Sequence, residues 1–247
     1  MDAISVKNLS KRYKDTLAVD DISFTLATGG VLGLLGGNGA GKTTTISMLL
    51  GLLVPSSGSI TVLGHDMAKN RFAALARMNF SSPYIALPQR LSVIETLRVY
   101  GNLYNVRNLR QRIAELAEKF NLGDLLQQLA GELSAGQKTR VALAKSLINT
   151  PDLLLLDEPT ASLDPDTGDF VRSALEAYAR ETGAAILLAS HNMAEVERLC
   201  DRVLMLKAGK IVDQGTPDAL IAHYGRADLE QVFLDIARNT RPQEFAA

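Results

Sequence analysis

The sequence is poor in the residues that build metal clusters and covalent staples. It has one cysteine, three histidines and no tryptophan. A lone Cys200 excludes an internal disulfide and a cysteine-rich metal site, and it suits a reducing compartment. His65 and His223 have no acid or cysteine at ligand spacing. Charge is also lacking: the formal net charge is −1, with Lys and Arg scattered, so no basic field marks a nucleic-acid or anionic-membrane binder. The apolar runs, such as 153–156 and 184–189, fall far short of the ~18 residues that span a bilayer. Residues 1–15 lack the apolar core of a secretory signal. A cytoplasmic chain is expected, one that needs separate partner chains for any task across a membrane. No internal repeat or low-complexity tract interrupts it.

What is present fits a large globular unit: 247 residues, 47% hydrophobic and 21% charged. Residues 3–9 alternate with a slip at Leu9, and Asp20 to Leu26 alternates cleanly, so both read as half-buried strands. Val31 to Leu35, 153–156 and 184–189 read as fully buried strands, with 59–63 as a shorter one. Helical spacing dominates from about residue 71 to 131: Ile94, Leu97, Tyr100; Ile113, Leu116, Phe120; and Leu125, Leu126, Leu129. Further helices are expected over 44–53, 137–149, 169–182 and 194–200, with a hairpin about Ala208-Gly209. Strands alternating with helices predict a mostly parallel, covered sheet.

Between the first buried strand and its helix lies Gly36-Gly37-Asn38-Gly39-Ala40-Gly41-Lys42-Thr43, then Thr44. This is the pattern G-x-x-x-x-G-K-T in its required strand–loop–helix setting. Glycines let backbone N–H groups curl around a phosphate chain, and the helix N-terminus adds positive potential. Lys42 suits the β- and γ-phosphates, and the Thr43 hydroxyl suits Mg²⁺. The plainer alternative is a glycine-rich turn that binds nothing. The run 153–156 ends in Asp157 and Glu158, acids at the edge where α/β proteins bind ligands. Asp157 suits Mg²⁺ and Glu158 suits activation of a water, unless the pair simply ends in a solvated turn. Cys200 shares helical spacing with Val196 and Leu199 and reads as core.

Leu133-Ser134-Ala135-Gly136-Gln137 resembles the LSGGQ signature of ABC ATPases, and from about Ile4 to Val212 the order and separation of the motifs resemble that family. The resemblance implies a P-loop NTPase core with an antiparallel β subdomain and an inserted α-helical subdomain. The expected ATPase domain spans 1–222, with its core at 1–70 and 132–222 and its insert at about 71–131; 223–247 is expected to be a helical tail. It implies ATP and Mg²⁺ bound between two head-to-tail domains, a homodimer or a paired ATPase subunit. Ser134, Gly136 and Gln137 of one subunit would then close on the P-loop of the other. Asp164 resembles the D-loop acid after Ser162-Leu163, His191 the switch histidine, and Tyr13 the aromatic that stacks on adenine. The bland readings are a helix N-cap for Ser134, a structural His191 and a core or edge Tyr13. Lys138 and Arg140 suit either a partner's phosphate or solvent.

Two positions depart from the family pattern. Gly37 stands where a proline is common, at a position used through its backbone. The expected Q-loop glutamine is also missing: eight residues before Leu91 stands Pro83. Ser81 or Ser82 is the favoured substitute, with Gln89 as the alternative. Residues around 84–92 are expected to pass motion to separate transmembrane permease subunits on the inner face of the membrane. Residues 228–234 resemble the tail of drug, lipid and polysaccharide exporters, although a short amphipathic helix fits their spacing equally well. A soluble ABC ATPase and a nucleotide switch without turnover are the remaining readings.

Overall fold

The computed structural model describes residues 1–82, 86–161 and 163–238. Two sheets form the frame. Strands β1 (Asp2–Tyr13), β2 (Thr16–Ala27), β4 (Ser57–Val62) and β5 (His65–Asp66) make an antiparallel sheet in the order β2-β1-β4-β5. The second sheet has six strands: β3 (Val31–Gly36), β6 (Met78–Ser81), β7 (Leu153–Asp157), β8 (Ala185–Ala189), β9 (Arg202–Lys207) and β10 (Lys210–Gly215). Their order is β10-β9-β3-β8-β7-β6, and every neighbouring pair is parallel except β9 with β10. The parallel strands are nearly all apolar because both their faces are covered.

Period-two geometry sends alternate residues of one strand to opposite faces. Leu153, Leu155, Ala185 and Leu187 enter a core shared with the antiparallel sheet and helix α1 (Lys42–Leu49). Leu154, Leu156, Ile186 and Leu188 enter the core on the other face. That face is covered by α3 (Val93–Leu103), α4 (Leu109–Lys119), α5 (Ala135–Ser146), α6 (Pro165–Thr182), α7 (Met193–Leu199), α8 (Pro217–Tyr224) and α9 (Leu229–Arg238). Gly183, at φ +66°, closes α6 as its sequence predicts.

Three expectations need correction. Leu125, Leu126 and Leu129 form no helix. A single 3₁₀ turn spans Gly123–Leu125, and the backbone beyond it bonds sideways, Val93 N–H to the Gln128 carbonyl and Ile94 N–H to the Leu126 carbonyl. Helical spacing is there, but non-local bonds win. The expected start of the insert at 71 is too early: α2 (Arg71–Leu75) leads into β6, the sheet's edge strand, which pairs Met78–Ser81 with Leu153–Leu156. Four residues are too few to display a period. Strands β1 and β2 are also longer than their alternation indicates, because register shifts and Asn8 at φ +47° break the pattern. At the other end, Leu229 and Val232 of α9 are fully buried in the same core as the sheet, so the helix packs as part of the body.

Candidate functional site

Strands β3, β6, β7 and β8 run parallel, so their C-terminal ends share one edge. That edge holds the glycine loop after β3, Asp157 at the end of β7 with Glu158 just after it, Ser190 and His191 after β8, and Ser81 at the end of β6. The loop is shaped by close approaches that tolerate no side chain. A Cβ on Gly36 would lie 2.6 Å from the Leu206 carbonyl, and one on Gly41 2.7 Å from that of Ala18. Gly41 also sits at φ +106°, outside the range of L side chains. Gly37, where the family often has proline, has open space. Asn38 and Gly39 are exposed, and Ala40 is buried. Ala40 N–H donates to the Gly37 carbonyl at 3.1 Å, and Gly209 N–H donates to the Ala40 carbonyl at 3.1 Å, so the turn between β9 and β10 braces the loop.

Gly41 caps α1 with no side-chain bond, and the first turn holds no acid. The positive end of the helix therefore faces the loop unneutralised. Lys42 reaches back across it, donating to the Gly36 carbonyl at 2.5 Å and the Gly37 carbonyl at 3.4 Å. Thr43 is exposed on the same turn, and Thr44 is half-buried.

Asp157 is buried, and burial raises its carboxyl pKa; Glu158 raises it further and Lys42 partly offsets both. Hard oxygen donors suit Mg²⁺, and the Thr43 hydroxyl and the Asp157 carboxylate are such donors; added positive charge would relieve the crowding of the two acids. Among the described residues no three His, Cys, Asp or Glu side chains converge on a metal position. Glu158 is 8% exposed and sits at φ +54°, a left-handed backbone unusual for a side-chain-bearing residue. Its N–H donates to the Ala189 carbonyl at 2.7 Å, tying β7 to β8 at the site. Glu158 Oε2 lies 2.6 Å from His191 Nδ1 and accepts the His191 backbone N–H at 3.3 Å. The imidazole is 69% exposed, so it presents its other face outward.

The signature stretch lies elsewhere, at the start of α5. Ser134 Oγ accepts the Gln137 N–H at 3.3 Å, and Gln137 Oε1 accepts the Ser134 N–H at 2.8 Å, a reciprocal capping box. The N-cap reading of Ser134 thus holds, on a helix start that is open to solvent. Gly136 fits closely against Thr167 of α6, where a Cβ would meet Oγ1 at 3.2 Å. Asp164 caps α6 and accepts the Thr167 N–H at 2.9 Å, a bond that holds its carboxyl below the usual range. Gly136 and Asp164 are therefore neighbours through Thr167; Ser162 lies outside the described residues. Lys138 and Arg140 bond the carbonyls of Gly131 and Asn121.

Tyr13 ends β1, is 45% exposed and has Lys11 Nζ 5.2 Å from its ring centre. It pairs with Thr16, close in the hairpin to the Ala18 carbonyl that abuts Gly41. An exposed ring beside the loop is no core aromatic. Cys200 is buried, and burial pushes its thiol up, as a core residue requires. Ser81 pairs in register with Leu156, one residue before Asp157, and Ser82 beside it is buried. The Gln89 carbonyl accepts the Gly131 N–H at 3.1 Å, which anchors its backbone to that turn. Pro83 and Tyr84 lie outside the described residues. One residue of this edge is missing from the sequence reading: buried Glu195, which bonds Ser190. An acid three residues after Asn192 signals only a helix cap.

A family model described as ABC transporter matches residues 19–161. The Nod factor export ATP-binding protein I of Rhizobium sp. (strain N33) is 38% identical over 247 residues, covering 99% of this chain and 79% of that protein. A solved structure described as the ATP binding subunit of an ABC transporter is 28% identical with a TM-score of 0.85, covering 95% of this chain and 99% of the other. The structure of cbiO1 from Clostridium perfringens, described as part of the ABC transporter complex cbiONQ, is 30% identical with a TM-score of 0.79 and 97% coverage of each chain. With these matches and a nucleotide loop, paired acids and signature in one fold, the chain belongs to the ABC transporter family as an ATP-binding, ATP-hydrolysing component.

Proposed function

We propose that this chain is the ATPase subunit of an exporter, coupling nucleotide-driven closure of two such subunits to separate membrane-spanning partners. The observation that carries the reading is the Glu158–His191 pair, 2.6 Å apart on the sheet edge that also bears Lys42, Thr43 and Asp157. Residues 36–41 would cradle the phosphates through backbone N–H groups and Lys42 would neutralise them. Thr43 and Asp157 would hold Mg²⁺, which supplies charge stabilisation at the transferring phosphoryl group. Glu158 would polarise the attacking water, and His191 would contact the γ-phosphate and orient that water. As the water oxygen bonds to phosphorus, the bond to the bridging oxygen breaks, leaving ADP and phosphate. Ser134, Gly136, Gln137 and Asp164 would complete the site of a second subunit, and Tyr13 would stack on adenine. Ser81 or Ser82 would stand in for the missing glutamine.

An open apolar cleft supports docking of a membrane partner. Leu50, Phe72, Leu75, Phe80, Leu103 and Tyr104 line an open cleft of 430 Å³ between α2, β6 and the end of α3. Phe72 and Leu103 are 73% and 70% exposed, and clustered exposed apolar side chains are a common feature of interaction sites. Among the described residues no helix is long and apolar enough to cross a membrane. The cleft supports a position on the inner face of the membrane; Tyr84, at the start of the expected 84–92 contact, lies outside the described residues. The export sense rests on the Nod factor relative and the 228–234 tail. The test is steady-state ATPase activity with and without the membrane protein that co-purifies with this chain. Turnover stimulated by that protein is expected; tight ATP binding with no turnover under either condition would instead make the chain a nucleotide switch.

A further inference from the structure

Glu195 has no part in the roles above, yet it is fully buried beside them. It sits in the first turn of α7, where an exposed acid caps a helix just as well. Burying a carboxyl so completely is costly without partners. Ser190 Oγ donates to its Oε2 at 2.6 Å, whereas Oε1 makes no hydrogen bond among the described residues. Burial raises its carboxyl pKa, while the Ser190 and Thr160 hydroxyls pull it down. Thr160 lies two residues after Glu158, so the side chain sits between the two loops that carry the catalytic candidates.

Its bonds form a closed ring. Ser190 Oγ accepts the Asn192 N–H at 3.1 Å, and Asn192 Oδ1 accepts the Glu195 N–H at 3.3 Å. Ser190 and Asn192 flank His191, whose own N–H and Nδ1 both meet Glu158 Oε2. A serine hydroxyl has one hydrogen. Given to Glu195, it leaves the lone pairs for Asn192, and the turn has one arrangement. We propose that Glu195 is a positioning residue for ATP hydrolysis, acting through Ser190 to lock the Ser190–His191–Asn192 turn so that His191 stays on Glu158. This rests on the roles given above to Glu158 and His191.

The test is steady-state ATPase kinetics on the full chain. Glu195→Met removes the acceptor at similar length, and Glu195→Gln keeps a carbonyl oxygen for Ser190. These are compared with Ser190→Ala, the Glu195→Met/Ser190→Ala double variant, Glu158→Gln and His191→Ala. Loss of one positioning bond predicts that Glu195→Met and Ser190→Ala each lower kcat about tenfold, with KM for ATP within about twofold. The double variant falls no further than the worse single one, because both act through one ring. Glu195→Gln recovers to within about threefold of the parent. Should Glu195→Met fail to fold, Ser190→Ala against Glu195→Gln carries the same contrast. Multiplying losses, or a Glu195→Gln as poor as Ser190→Ala, overturn the proposal. An unchanged kcat in Glu195→Met does so too, while Glu158→Gln and His191→Ala lose turnover. If those last two keep turnover, the underlying assignment of Glu158 and His191 is what fails.

Discussion

A methyl group added at Gly41 has nowhere to go. The residue sits at φ +106°, where an L side chain costs about 1–3 kcal/mol. Its Cβ would also lie 2.7 Å from the Ala18 carbonyl oxygen, a backbone atom of β2 fixed in the sheet. Together these set a cost of about 3 kcal/mol for Gly41→Ala if nothing moves. Strain held in the native chain lowers Tm by about 6–12 °C for a chain of this size. Strain relieved by a shifted loop instead turns the N–H groups away from the phosphates. At about 1.4 kcal/mol per tenfold, that weakens ATP binding by up to about 100-fold. Thermal melts and titration with a fluorescent ATP analogue separate the two routes. Gly37→Ala is the graded comparator: the added methyl has no neighbour within 4 Å, so its losses should be much smaller. A Gly41→Ala chain that matches the parent in both assays, or a Gly37→Ala chain that is equally damaged, would refute the close-approach argument.

Glu158→Gln is expected to bind ATP but stall, and to run as a dimer with ATP on size exclusion; a monomer under those conditions counts against a shared site. Asp157→Asn should raise Tm at pH 7 without nucleotide. The native carboxyl has its pKa raised, so the folded chain binds more protons than the unfolded one just above 3.8, and stability falls as pH rises through that window. The gain in Tm should therefore shrink as pH is lowered toward 3.8, and a gain independent of pH refutes the linkage. Gln89→Ala should lower turnover far less than Glu158→Gln, since the Gln89 backbone is anchored at Gly131; a loss equally deep would return Gln89 to the site.

The strand–loop–helix unit at the glycine loop was readable because all its parts are contiguous: a buried strand, the glycines, Lys42 and Thr43, then a helix. The edge position of Asp157 and Glu158 was readable because four consecutive leucines suit a strand buried on both faces, and α/β proteins gather polar groups where such strands end. Strand β6 was hidden because Met78–Ser81 is too short for a period and becomes a strand only beside β7. Leucines 125, 126 and 129 misled because their spacing is helical while the backbone bonds that decide their shape run to residues 91–94. Glu195 was invisible for a related reason. In sequence it is a routine acid in a first helical turn, and only the packed structure reveals that it is buried against Ser190.

Strand β7 carries one more consequence. Its leucines are gripped alternately by two cores, Leu153 and Leu155 by one and Leu154 and Leu156 by the other, and its last residue is Asp157. Such a strand cannot roll about its own axis without emptying one of the cores. Nor can it slide along its length, because it is paired in register with β6 on one side and β8 on the other, and β8 is paired with β3, the strand that leads into the glycine loop. A load on the antiparallel sheet and a load on the helices therefore meet in one stiff ladder. Two unrelated surfaces of the molecule jointly hold the spacing between the acids and the glycine loop.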